Sequence, residues 1–117
     1  WLIETPRFER ELSLLAREGP DVAGYLFAWP EAEEDTSRGY VAALGTRRAY
    51  RGRGIAEALL RHVFRALLDR GKRGCDLHVD SDSLTGATRL YERVGMTAHP
   101  RFATWEKELR PAGDHGS

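Results

Sequence analysis

Apolar residues follow a short, strand-like spacing in the first half of the chain. Two runs rich in Leu, Val, Tyr, Phe and Trp occupy Leu12–Arg17 and Val22–Trp29. Gly19 and Pro20 lie between them and are typical of a turn. We therefore predict an antiparallel hairpin, followed by a further strand at Tyr40–Thr46.

The spacing changes at residue 54. From there apolar side chains recur every four residues, which predicts an amphipathic helix packed on a sheet. These side chains belong to Ile55, Leu59, Val63 and Leu67. Gly71 is placed to end this helix.

The last third of the chain predicts two more strands and a second helix. The strands are expected at Cys75–Val79 and Phe102–Leu109, and the polar run at 80–83 offers several helix N-caps. The second helix has an apolar face and ends at Gly95. That face consists of Ala87, Leu90, Tyr91 and Val94. The predicted order is β-β-β-α-β-α-β, a mixed sheet with helices packed on it.

The composition is that of one globular domain. A chain of 117 residues with 41% hydrophobic and 31% charged residues can bury one core and is too apolar to be disordered. No apolar run approaches the roughly 18 residues that span a bilayer, and no signal peptide is evident. Cys75 is the single cysteine and the four histidines form no close pair. We expect a soluble, cytoplasmic protein without a metal.

The charges balance overall but are clustered locally. Eighteen basic and 18 acidic side chains cancel, which disfavours a general attraction to nucleic acid or anionic membranes. Four arginines, however, fall within seven residues, while acidic residues fill much of 31–35. Either cluster can be a solvated surface. The arginine cluster differs from the acidic cluster because glycines lie among the arginines.

The segment 50–56 joins glycines and arginines to a predicted helix start. Such a start leaves about four backbone amides unpaired and carries the positive end of the helix dipole, so it can bind an anion. Gly52 and Gly54 would let the backbone approach a diphosphate, and Arg51 and Arg53 add charge. Motifs for nucleoside triphosphates and dinucleotides do not fit. A turn that needs glycine only for its geometry is the structural alternative.

Two segments together resemble the GNAT superfamily of acyltransferases. Arg51-Gly52-Arg53-Gly54-Ile55-Ala56 is similar to its R/Q-x-x-G-x-G/A motif, and Ala87–Met96 resembles its A-x-x-L-Y-x-x-x-G-F/M signature. The resemblance implies an α/β (α+β) fold with a mixed, mostly antiparallel sheet and splayed central strands. Compared with the family, the chain lacks the usual N-terminal strand and helices.

The resemblance also implies a cofactor site for acetyl-CoA, with no metal. In the family, backbone amides of the first motif bind the coenzyme A pyrophosphate, and the splayed strand before it pairs with the pantetheine arm. The residues implied as cofactor-binding are Leu44, Gly45, Thr46, Arg51, Gly52, Arg53, Gly54, Ile55 and Ala56.

The catalytic residue that the resemblance implies is Tyr91, as the general acid that protonates the departing thiolate. Its alternative role is packing in the apolar stripe. A backbone N–H near Gly45 would stabilise the oxyanion. No carboxylate occupies 40–43, where many relatives carry a general base, so His78, Asp80 and Asp82 stay open as bases. Each also has a structural alternative, as a sheet histidine or a helix cap.

A further departure from the family pattern concerns the coenzyme. Relatives often have an asparagine at the position of Leu84, and the hydroxyls of Ser83 and Thr85 are the nearest substitutes. We expect residues 1–11 to be a lead-in, 12–110 the acetyltransferase domain and 111–117 a flexible tail. Because the elements that usually line the acceptor site are missing, a second copy of the chain or an adjoining domain is expected to cover the exposed surface.

The predicted function is acetyl transfer from acetyl-CoA to an amine, either of a small molecule or of a protein N-terminus or lysine. One alternative is a coenzyme-A-binding domain, without catalysis, of a longer tandem protein resembling mycothiol synthase. A nucleic-acid binder that uses the arginines is a second alternative. The balanced net charge disfavours it.

Overall fold

The sheet is built from strands contributed by all parts of the chain. The computed structural model describes residues 2–4, 12–32, 35–78, 87–98 and 104–109. The strands are β1 (Leu2–Glu4), β2 (Leu12–Glu18), β3 (Asp21–Trp29), β4 (Arg38–Thr46), β5 (Gly74–His78), β6 (Thr97–Ala98) and β7 (Thr104–Glu108). The helices are α1 (Ile55–Asp69) and α2 (Ala87–Arg93), with a 3-10 turn at Arg48–Tyr50.

These strands form one sheet in the order β1-β2-β3-β4-β5-β7-β6. Every neighbouring pair is antiparallel except β4 and β5, which are parallel and are joined by α1. Parallel neighbours need such a crossover because a tight turn cannot connect them. The predicted mixed, mostly antiparallel sheet is confirmed, as are the hairpin and both helices. Neither described helix is long and apolar enough to cross a membrane.

Two short strands were not predicted. β1 lies in the lead-in, where no strand was expected, and pairs with β2 at Leu15–Arg17. β6 pairs with β7 at Trp105 and Glu106. With three and two residues, respectively, they are too short to show an alternating pattern. The predicted strand ends at Val79 and Phe102, the N-cap run at 80–83 and the tail at 111–117 lie outside the described residues.

One face of the sheet holds the core. α1 buries one side of its surface against this face, as its four-residue spacing predicts. The buried side chains of the helix are Ile55, Leu59, Leu60, Val63, Phe64 and Leu67. A Cβ at Gly39 of β4 would lie 2.6 Å from Leu67, which places that glycine directly beneath the helix. Burial of each large apolar side chain contributes about 1.5–3 kcal/mol, so α1 is held chiefly by this packing.

α2 packs on the same face as α1. Gly39 pairs with Cys75, and Leu77, two residues further along β5, therefore points to the same side. Leu77 is opposite Trp105 of β7, whose ring lies 5.4 Å from that of Tyr91 on α2. Both described helices consequently cover one side of the sheet.

The opposite face, here called the open face, carries aromatic side chains on β3. Tyr25, Phe27 and Trp29 are 38%, 40% and 42% exposed, whereas Leu26 and Ala28 between them are buried. No described helix covers these three rings. Within the described part of the chain, β3 therefore presents partly exposed aromatic rings on the open face.

Neighbouring substitutions on β3 should report which face is the core. Leu26→Ala is expected to lower the free energy of unfolding by about 2–5 kcal/mol, because Leu26 is 0% exposed and its removal leaves a cavity. Phe27→Ala, one residue away, is expected to lower it by roughly 1 kcal/mol or less, because that ring already contacts solvent. Urea denaturation measures both. Equal losses would contradict the assignment of the open face.

Candidate functional site

A gap opens between β4 and β5 in the middle of the sheet. The two strands pair from Arg38 opposite Gly74 to Val41 opposite Leu77. Beyond that pair β4 continues to Thr46 on β3 alone, and His78 of β5 pairs with β7. Within the described residues, Ala42–Thr46 thus has no strand on its β5 side. The splayed central strands implied by the family resemblance are confirmed.

A β-bulge in β4 lies at the start of this gap. Phe27 pairs with Ala43 and Ala28 pairs with Val41, so Ala42 is an extra residue on β4. A bulge leaves its extra residue out of the ladder and turns the following side chains to the other face. Sequence reasoning missed Ala42 as a site residue, since nothing about an alanine in an apolar run indicates a bulge.

The three residues expected to bind the pantetheine arm lie beyond the bulge. Leu44 is half-buried against the core, and Thr46 pairs with Gly24. Gly45 is directly beneath the ring of Tyr25 on the open face, where a Cβ would lie 2.6 Å from that ring. Gly45 thus has a packing reason to be glycine, independent of any role in binding.

The glycine-rich loop connects the open end of the gap to α1. Gly52 has φ +82° and Gly54 has φ +78°, in the left-handed region that other residues rarely adopt. A Cβ at either position would meet nothing within 4 Å, so the space beside both glycines is open. The loop therefore needs glycine for its backbone angles, and it presents its backbone to solvent.

Unpaired amides line the start of α1. The first hydrogen bond of the helix runs from the N–H of Ala58 to the carbonyl of Gly54. Gly54 is the N-cap and supplies no side-chain bond, unlike the Ser, Thr, Asp or Asn usual there. The amides of residues 52–57 have no acceptor among the described residues. Ile55 is buried, so it offers this site only its backbone, and Ala56 is half-buried.

The arginines of the loop are exposed and differ in their contacts. The guanidinium of Arg53 lies 5.4 Å from the ring centre of Tyr50, a cation–π contact. The Tyr50 hydroxyl donates to Asp21 at 3.1 Å, which raises the pKa of that phenol. These contacts connect the loop to the start of β3. Arg51 is exposed and makes no such contact with a described residue.

Glu57, the acidic residue of the first helical turn, is neutralised locally. Its carboxylate lies 3.0 Å from Nε of Arg93 and 3.4 Å from Nε of Arg61. Arg61 also donates to the backbone oxygen of Arg93 at 3.2 Å. These contacts join α1 to the end of α2, and they place two arginines beside the single acidic residue of the first helical turn.

Tyr91 lies on α2, on the helix side of the sheet, near the strand residues at which the gap begins. Its ring packs against Trp105, and Trp105, Leu77 and Val41 are consecutive partners across β7, β5 and β4. Tyr91 is 9% exposed, and burial raises the pKa of its phenol above the ordinary value of 10.0. The hydroxyl makes no hydrogen bond to a described residue. The phenol therefore stays protonated at neutral pH.

The other groups considered for chemistry fall into three sets. His78 is exposed on the open face beside the gap, 3.5 Å from the Thr104 hydroxyl. Asp80, Asp82 and the segment around Leu84 lie outside the described residues. Burial raises the pKa of the Cys75 thiol to about 12, so it is not a nucleophile at neutral pH. The described residues contain no cluster of His, Cys, Asp or Glu suited to a metal ion.

Sequence comparison relates the chain to known acetyltransferases. Residues 2–96 match the Acetyltransferase (GNAT) family. A mycothiol acetyltransferase of Corynebacterium aurimucosum is 29% identical over 92 residues, covering 79% of this chain and 30% of that protein. The N-alpha-acetyltransferase MAK3 of Arabidopsis thaliana is 38% identical over 67 residues, covering 57% of this chain and 35% of that protein. The chain thus spans about a third of the length of these curated relatives.

Solved structures share the fold. The GNAT domain of S. lividans PAT superposes with a TM-score of 0.75 at 22% identity, covering 86% of this chain and 61% of that one. The PaiA N-acetyltransferase of Thermoplasma acidophilum, solved in complex with coenzyme A, gives a TM-score of 0.72 at 18% identity and covers 86% of this chain and 62% of that one.

Proposed function

This chain belongs to the GNAT family of acetyltransferases, and from that membership we propose that it binds acetyl-CoA and transfers the acetyl group to an amine. The proposal rests on one observation, that a free strand edge and a row of unpaired backbone amides lie next to each other. The gap between β4 and β5 exposes one edge of β4, and the unpaired amides at residues 52–57 follow directly at its open end.

Each feature suits one part of coenzyme A. An extended arm with amide groups can bond to the free edge of β4 at Leu44, Gly45 and Thr46, as an added strand would. A pyrophosphate can accept hydrogen bonds from the amides of the loop, whose open space beside Gly52 and Gly54 permits close approach. The exposed Arg51 and Arg53 add charge-assisted contacts. The thioester then lies in the gap, beyond the pair of Val41 and Leu77.

The chemistry at the thioester needs an oxyanion donor and an acid. The bulge leaves Ala42 out of the β3 ladder at the mouth of the gap, so a backbone N–H there or near Gly45 would stabilise the developing oxyanion. Tyr91, at the same level of the sheet, would give its proton to the departing thiolate. Burial favours this role, because the raised pKa keeps the phenol in its acid form.

The acceptor is proposed only as a class, a primary amine. One relative is named a mycothiol acetyltransferase and another an N-alpha-acetyltransferase, so the two names point to different acceptors. The open face beside the gap leaves room for a large acceptor at Tyr25 and Phe27, or for a covering element from a second copy or an adjoining domain.

A second candidate function is a coenzyme-A-binding domain that does not itself catalyse transfer. The observation that favours it is that the matched segment covers only 30% of the mycothiol acetyltransferase and 35% of MAK3. In a longer protein of that kind, one domain can bind the cofactor while another completes the acceptor site.

Calorimetric titration with acetyl-CoA, followed by thiol-release assays with a panel of amines, tests the proposal. The panel should include small amines and peptides with a free α-amino group. We expect binding of one acetyl-CoA per chain, and turnover with at least one amine. Binding without turnover would favour the non-catalytic domain. Absence of binding would contradict both functions, and nucleic-acid binding would then have to be tested.

A further inference from the structure

A groove of about 590 Å³ lies between α1 and β7 on the helix side of the sheet, apart from the gap. Its floor is apolar and consists of Phe64, Leu68, Val94 and Leu109. Phe64 and Val94 are 7% and 3% exposed, so this floor is part of the packed core. Clefts of roughly 300–1,000 Å³ with an apolar lining are typical of ligand sites. The lining includes no residue that the proposed acetyl transfer uses.

The strand beside this groove has a free edge. β6 pairs with β7 only at Trp105 and Glu106, so no described strand lies next to β7 beyond that point. The N–H of Leu109 donates to the carbonyl of Arg73 at 3.0 Å, on the β5 side. Because successive residues of an antiparallel strand direct their backbone groups to opposite sides, the N–H and carbonyl of Glu108 point outward. A free edge of this kind can pair with an added strand.

Lys107 brings a positive charge to the groove. It follows Trp105 by two residues on β7 and therefore shares the helix side of the sheet. Its side chain is half-buried and crosses Gly95, where a Cβ would lie 2.6 Å from Nζ. The ammonium group makes no hydrogen bond or ion pair with a described residue. A partly buried charge is stabilised by an opposite charge, so this position favours a carboxylate.

Two arginines of α1 add to this charge at the rim of the groove. Arg61 and Arg65 are four residues apart and therefore lie on one face of the helix. Each contacts an acidic residue of its own helix, Glu57 at 3.4 Å and Asp69 at 3.2 Å. Surface pairs of this kind contribute little to stability, so either arginine can turn to a bound anion.

The acidic residues of β7 direct their charges elsewhere. Glu106 and Glu108 alternate with Trp105 and Lys107, so their side chains lie on the open face. The carboxylate of Glu108 is 3.0 Å from the guanidinium of Arg38 there. Their backbones border the groove, while the charges of β7 and of the rim arginines that face it are positive.

We propose that this groove binds an extended, acidic peptide segment of a partner protein, which adds a strand to the free edge of β7. The backbone of the segment bonds to the N–H and carbonyl of Glu108. Side chains two residues apart in a strand share a face, so one carboxylate reaches Lys107 while an apolar side chain two positions away packs on Phe64 and Leu68. Charge complementarity thus selects the pattern acidic-x-apolar. This binding does not depend on the proposed acetyl transfer.

Amide NMR of the ¹⁵N-labelled chain, titrated with a short peptide in low salt, tests the proposal. The probe is an end-blocked peptide of five serines in which glutamate replaces the second and leucine the fourth. We expect shifts of the amides of Gly95, Thr97 and residues 107–109, and slower solvent exchange of the Glu108 N–H. A peptide with lysine in place of the glutamate should bind much more weakly. Saturating acetyl-CoA should not displace the probe.

Lys107→Gln should weaken binding of the probe by about 10-fold, because it removes one charge-assisted hydrogen bond. Arg89→Gln is the matched control. Arg89 is an exposed cation on α2 that does not line the groove, so its loss should leave the affinity unchanged. A similar loss in both variants would show that only the net charge attracts the probe, and it would overturn the site.

Glu108→Pro tests the added strand, because proline removes the outward N–H and is tolerated at strand edges. Glu108→Gln is its control, since it keeps the N–H and also loses the contact with Arg38. Only the proline variant should lose affinity for the probe, and equal affinities would overturn strand addition. If Glu108→Pro does not fold by circular dichroism, the exchange rate of the Glu108 N–H in the parent decides, and an unchanged rate at saturation overturns it. Absence of binding, equal binding of the lysine peptide or displacement by acetyl-CoA would overturn the whole proposal.

Discussion

Replacing Tyr91 with phenylalanine is expected to lower kcat by about 100- to 10,000-fold, the range that general acid catalysis typically contributes. The substitution removes the proton donor and keeps the ring that packs 5.4 Å from Trp105. Fold and acetyl-CoA affinity should therefore change little. Thiol release under saturating acetyl-CoA measures kcat, and calorimetry measures the affinity.

The pH dependence of the parent gives an independent check on Tyr91. Burial raises the pKa of the phenol above 10.0, so the acid form persists through the neutral range and beyond. At any pH below about 10, the kcat of the parent should therefore not fall through loss of this proton. An unchanged kcat in Tyr91→Phe would leave Tyr91 as a packing residue of α2 and would require another proton donor for the thiolate.

Gly54→Ala is expected to weaken acetyl-CoA binding by about 10- to 100-fold, equivalent to the loss of one charge-assisted hydrogen bond. Gly54 has φ +78°, so a side chain there strains the loop and turns its unpaired amides away from the pyrophosphate. The added Cβ also enters the open space through which the ligand would approach. Calorimetric titration of the variant measures the change.

Gly71→Ala is the matched control for this variant. Gly71 lies just beyond the other end of α1, has φ +79° and also has nothing within 4 Å of a Cβ. It is about 22 Å from Gly54, the rise of 15 helical residues. Both variants should lose similar stability in urea, and only Gly54→Ala should lose affinity. If Gly71→Ala weakens binding as much, strain in α1 would explain the effect, and the cofactor site would have to be placed elsewhere.

The sequence by itself determined the elements whose signals are local. The apolar stripe from Ile55 to Leu67 indicates a helix because it includes the adjacent pairs 59–60 and 63–64, which would lie on opposite faces of a strand. Gly19 and Pro20, between two apolar runs, indicate a hairpin because both residues favour the backbone angles of a turn. The two GNAT motifs are local as well, so the loop at residues 51–56 and Tyr91 could be selected before any geometry was known. Their roles remain predictions.

Only the tertiary structure decided what depends on pairing between distant segments. Val41 and Leu77 end the β4–β5 ladder although many residues separate them in the chain, and no local pattern marks where two strands part. The bulge at Ala42 is likewise a property of the β3–β4 register. The short strands β1 and β6 exist only because longer partners complete their hydrogen bonds.

The candidate site residues also divide into those that local sequence marks and those whose neighbours only the fold determines. The sequence left His78, Asp80 and Asp82 open as bases, and because only His78 lies in the described part of the chain, the choice among them stays a prediction. The fold places His78 beside Thr104 and Tyr40 at the mouth of the gap, and it engages Asp76 with Arg38. Local spacing specifies a helix or a turn through contacts within a few residues. Which groups meet at a gap in a sheet is specified only by long-range packing, and that packing is a property of the whole chain.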